Sequence, residues 1–105
     1  MTAVRDLIEK NCFELKNRGS DDKAVTKVFC CDLLSVAMGK APEGCAWVTV
    51  MGNRNTLAVA SLADVSCVIL AEGAALTPED LACAEKEELP VFYTELAVFD
   101  AALAV

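Results

Sequence analysis

The chain contains no histidine, which removes the Ser–His and Cys–His nucleophile pairs, imidazole acid–base chemistry and the mixed Cys/His zinc sites. Basic residues are scarce as well. Nine Lys and Arg stand against sixteen Asp and Glu, a formal charge of −7. A chain with that balance and no basic stripe repels phosphate backbones and anionic lipid, so neither nucleic acid nor a membrane surface is an expected partner. No uncharged run approaches the roughly 20 residues of a membrane-spanning helix; the stretch from Gly44 to Asn53 ends at Arg54. The opening residues include Arg5, Asp6, Glu9 and Lys10 and lack the apolar core of a secretory signal, so the expected location is cytoplasmic. No phosphate-binding Gly-x-x-x-x-Gly-Lys-Ser/Thr occurs, since Gly39-Lys40 runs on to Ala41.

Six cysteines are present (Cys12, Cys30, Cys31, Cys45, Cys67, Cys83), but no Cys-x-x-Cys spacing joins any two. Cys12, Cys45 and Cys67 lie at or inside apolar runs, where a free thiol acts as a small hydrophobe. The expectation is buried, inert thiols, with no metal site and no cofactor.

What is abundant is apolar surface. The 105 residues are 55% hydrophobic and 24% charged, a composition for one domain with a single compact core and apolar area to spare. Val4, Leu7 and Ile8 predict a short helix ending near Asn11, and Cys12–Leu15 a brief strand. The polar segment 16–23 reads as a loop, and Ala24–Cys31 as a strand rich in β-branched residues. Asp32 then suits the N-cap of a helix through Met38, with Gly39 as its left-handed stop. From there one unit repeats three times. Strands are predicted at 45–51, 65–71 and 90–94, each followed by a helix: 55–64, one opening at Thr77-Pro78-Glu79-Asp80, and 95–105. Strands that are apolar throughout, alternating with helices, predict an α/β fold with a mostly parallel sheet and helices on both faces. Trp47 and Tyr93 are expected in its core.

Sheets of this type bind ligands outside the carboxyl ends of their strands. There the sequence places small and polar residues, giving a candidate small-molecule site at Asp32, Thr49, Gly52, Asn53, Arg54, Asn55, Glu72, Gly73 and Thr94. Backbone amides and Arg54 would favour an anionic ligand such as an adenine nucleotide, whereas Glu72 and Glu95 would oppose one. Helix caps and tight turns draw on the same residue types, so a purely structural reading stands beside the functional one. Asp32, Glu72 and Glu95 would serve an acid–base enzyme only if two of them met in a dry pocket. The last helix is nearly all apolar, and Leu96, Val98, Phe99 and Leu103 are the candidate interface of a homodimer.

Several segments in order resemble the DRTGG domain family: Asp22-Lys23-Ala24-Val25-Thr26-Lys27-Val28, then Cys31 to Gly39, Gly44 to Thr49, Asn55 to Ala60, Val68 to Gly73, and Pro90 to Thr94. The similarity spans most of residues 1–105. Within the segment that names the family, Lys23 stands where arginine is usual, and Lys27 and Val28 take the place of the glycines. The resemblance implies a non-catalytic regulatory and dimerisation module that senses a small ligand and acts on a separate partner enzyme. Related domains lie between the CBS domains of nucleotide-regulated pyrophosphatases and in some phosphotransacetylases, and the amino-terminal domain of HPr kinase/phosphorylase is similar.

Overall fold

A computed structural model describes residues 2–105. In chain order the elements are β1 (Thr2–Ala3), α1 (Val4–Lys10), β2 (Glu14–Asn17), β3 (Ala24–Val25), β4 (Lys27–Cys30), α2 (Leu34–Lys40), β5 (Cys45–Thr49), α3 (Arg54–Ala63), β6 (Cys67–Leu70), α4 (Pro78–Lys86), β7 (Val91–Tyr93) and α5 (Val98–Ala104). A five-stranded sheet has the order β2-β7-β6-β5-β4, and a two-stranded one pairs β1 with β3. Strands β4 to β7 are parallel neighbours in chain order, while β2 closes the far edge antiparallel to β7. The α/β expectation is met.

Period-2 alternation divides the sheet into two faces. Trp47, Val68, Leu70 and Val91 point to the side carrying Ala37 of α2, Leu57 and Ala60 of α3, and Ala84 of α4. Ala46, Val48, Ile69 and Phe92 point to the other side, where Val4 and Leu7 of α1 and Ala101 of α5 pack. Trp47 is wholly buried, and its indole N–H donates to Cys31 O at 3.0 Å, which satisfies its one polar group. Phe92 meets the edge of Phe13 with ring centroids 6.0 Å apart.

Local chemistry fixes the boundaries. Asn53 caps α3 by accepting from Thr56 N at 3.0 Å, and Thr77 caps α4 by accepting from Asp80 N at 3.2 Å, with Pro78 at the first helical position. Four expectations need correction. Ala24–Cys31 is two strands, because Thr26 turns aside to bond Gly44, its N–H donating at 2.9 Å; β3 then serves β1 while β4 serves β5. Asp32 does not cap α2, whose N-cap position is Leu33, because its carboxylate is held by β5. Gly39 lies inside α2 rather than ending it. Pro42 sets the stop, forcing Ala41 into an extended conformation. Finally, α5 begins at Val98 and not at Glu95, since Thr94 Oγ1 accepts from Leu96 N at 3.1 Å and holds the intervening residues as a turn.

Candidate functional site

The carboxyl ends of the parallel strands gather the predicted residues into three groups. At the end of β5, Asp32 Oδ1 accepts from Thr49 Oγ1 at 2.8 Å and from Val50 N at 3.0 Å, and Thr49 Oγ1 accepts in turn from Met51 N at 3.2 Å. The chain leaving β4 is thereby tied to the chain leaving β5. Next along, Gly52 lets the backbone pass close to the loop after β6: a Cβ there would stand 2.5 Å from Ala75 O. Asn53 is consumed by capping, Arg54 Nε pairs with Asp80 Oδ1 at 3.0 Å, and Asn55 faces solvent.

The third group builds a cleft. Connections leaving β4, β5 and β6 all lead to helices on one face, whereas β7 leads to α5 on the other. The ends of β6 and β7 are therefore where outgoing chains part to opposite sides, the arrangement that opens a crevice in such sheets. Glu72 and Gly73 turn there with positive φ (55° and 77°), and their N–H groups donate to Leu96 O at 2.9 Å and Thr94 O at 3.0 Å. A cavity of about 270 Å³ lies beside them, lined by Cys12, Glu14, Gly73, Ala74, Tyr93, Thr94 and Glu95. Of the predicted site residues, it takes in Gly73 and Thr94 alone.

The other five liners, Cys12, Glu14, Ala74, Tyr93 and Glu95, were not among the predicted ligand-site residues, although Ala74 and Glu95 adjoin two that were. Cys12 and Glu14 enter because β2 pairs antiparallel with β7, a partnership across most of the chain that local patterning does not signal. Tyr93 is half-buried, and its hydroxyl accepts from Leu76 N at 2.8 Å. Lys16 Nζ sits 5.1 Å from the Tyr93 ring centroid, and its hydrogen bond to Glu14 holds the ammonium above its ordinary range despite an opposing desolvation. The cleft wall thus carries two carboxylates, Glu14 and Glu95, with one cation at its rim.

A second cavity, about 290 Å³, lies at the amino ends of β6 and β7 between Lys23, Asp64, Glu87 and Glu88. Lys23 is engaged there, donating to Asp64 Oδ1 at 2.8 Å and Val65 O at 3.1 Å. A third groove, of about 250 Å³, separates α3 from α4 at Leu57, Ala58 and Cys83.

The thiols divide. Cys45 and Cys67 are buried as expected, and loss of hydration pushes them up to about 11 and about 12. Cys12 and Cys30 are exposed instead, and Cys31 and Cys83 are intermediate. Partial burial, with Asp32 nearby, raises Cys30 too, so each thiol that shifts moves away from the reactive thiolate. Among the described residues no group of three Cys, Asp or Glu side chains is placed to hold a metal ion, and no helix is long and apolar enough to cross a membrane.

Apolar side chains remain uncovered on α5 and in the turn before it. Phe99 is 71% and Leu103 70% exposed, Leu96 is exposed at 41%, and Val98 is half-buried. The sequence matches no protein-family model and no curated protein.

Proposed function

We propose that this chain is a non-catalytic regulatory module that acts as a homodimer, senses a small ligand and passes its state to a separate enzyme. The observation that carries the reading is the outward face of α5, where Phe99 and Leu103 each leave about seven-tenths of their surface in water. An aromatic and a leucine one turn apart have little use in a solvated helix and much in an interface. The rim supports the non-catalytic part: the Asp32 carboxylate, the Thr49 and Thr94 hydroxyls, the Asn53 amide and the Arg54 guanidinium all have partners within the chain. Their positions suit holding a shape rather than exchanging protons. The ordered resemblance to DRTGG domains points the same way.

Light scattering on the purified chain at tens of micromolar tests assembly. A dimer mass is the expected result, and a monomer overturns the reading.

The cleft between the ends of β6 and β7 favours a second reading, a small-ligand site. Its volume of about 270 Å³ falls just below the span of roughly 300–1,000 Å³ typical of small-molecule pockets, so it suits a compact ligand better than a whole nucleotide. Glu14 and Glu95 favour a neutral or cationic group over a phosphate. Thermal-shift measurements with adenine nucleotides and with small amines separate the two classes. Stabilisation by nucleotides alone would reverse this preference, and stabilisation by neither removes the site.

A further inference from the structure

The two edges of the main sheet are finished differently. At β2 the edge carries Glu14 and Lys16, and its register against β7 slips between Leu15 and Asn17, so charges and an irregularity guard it against further pairing. At β4 the edge is regular. The strand reads Lys27-Val28-Phe29-Cys30, is paired to β5 throughout, and among the described residues has no strand on its other side.

Uncovered apolar side chains cluster around that second edge. Of the nine large hydrophobic residues that are exposed among the described residues, Val28 lies on β4, Leu33, Val36 and Met38 on the segment leading into and along α2, and Phe99 and Leu103 on α5, which crosses β4 and β5 on the opposite face. A regular edge, charged only at Lys27 where it begins, with apolar side chains above and below it is a template for another strand.

From this we infer that two copies of the chain join through β4, antiparallel about a two-fold axis normal to the sheet, so that two five-stranded sheets become one of ten strands. The inference rests on the self-association proposed above and supplies its geometry. Charge selects a second copy and the antiparallel sense. Lys27 opens the strand and Asp32, exposed and bonded to β5 through Oδ1 alone, follows its end, so antiparallel pairing sets each lysine toward the end of the partner strand where Asp32 lies, whereas parallel pairing would set like charges together. The axis keeps each face with its like, bringing α2 to α2 and α5 to α5 across the seam. A dimer of ordinary size hides roughly 800 Å² per partner, a modest share of the 5428 Å² surface.

The test uses the full chain with Cys12→Ser, Cys31→Ser and Cys83→Ala, which leaves Cys30 as the only accessible thiol. Antiparallel pairing puts both Cys30 side chains on one face, about two residues apart or less along the seam, within reach of a short bismaleimide. The expected result at about 50 μM is a dimer by sedimentation, covalently linked through Cys30 in high yield. V28K, which keeps the fold by circular dichroism, should raise the dissociation constant at least about tenfold and abolish the link. A dimer that does not link through Cys30 overturns the edge geometry and leaves self-association standing. A monomer overturns both, as does a chain that associates only with a different protein.

Discussion

Raising the pH probes the burial of Cys45 and Cys67, because water is excluded from both side chains and each therefore resists ionisation. Unfolded, the two thiols titrate near 9.0; folded, they wait until about 11 and about 12. Between those limits the folded chain holds protons that the unfolded chain has released. Their contribution to stability is therefore complete below pH 9 and is lost as the pH climbs through the folded values. Each unit of difference corresponds to about 1.4 kcal/mol, so two thiols shifted this far cost several kcal/mol on the order of the whole stability of a small domain. Urea unfolding from pH 8 to pH 11, at one protein concentration, follows this through the fluorescence of Trp47, the single tryptophan and a buried one. The paired variant C45A/C67A supplies the comparison, since it keeps every lysine and the tyrosine but loses both buried titrations. The wild-type chain should lose stability more steeply above pH 9. Equal slopes for the two chains would refute the argument.

Gly52→Ala should lower stability by about 1–3 kcal/mol, because its Cβ would collide with Ala75 O. Gly39→Ala, inside α2 with nothing within 4 Å of the new methyl, should instead gain up to about 1 kcal/mol; melting temperatures of the pair check both signs. Phe92→Ala should cost about 3–5 kcal/mol by denaturant unfolding, whereas Leu62→Ala, at a residue 78% exposed, should stay within about 0.5 kcal/mol. Asn53→Ala should cost about 1 kcal/mol through loss of the α3 cap, and Asn53→Asp should restore it.

The parallel core was legible because β5 and β6 are buried on both faces and so read as unbroken apolar runs, and because Thr77-Pro78 announces a helix start through rules that act within one turn. Asp32 misled for a reason of the same kind. Its position before α2 suits a cap, but Thr49, seventeen residues on, competes for the same oxygen and wins once β4 and β5 are adjacent. Gly39 and the start of α5 went astray because stronger local forces lay next to them: a proline at 42, and a threonine hydroxyl at 94 bonded two residues ahead. At the cleft, Gly73 and Thr94 were readable as strand-end residues. Cys12 and Glu14 were not, since no local pattern places β2 beside β7.

That long-range pairing bears on how the chain is made. Strands β5 to β7 each join a neighbour already synthesised, β5 on β4, β6 on β5 and β7 on β6, so the growing sheet can lengthen one strand at a time as translation proceeds. β2 has no such opportunity. Asn17 must wait for Ala84 and Leu89, 67 and 72 residues later, before its amide finds the carbonyls it bonds, a delay of several seconds at roughly 5–20 residues per second. The order of emergence thus favours a sheet that grows from its apolar side and receives its polar first-born strand last.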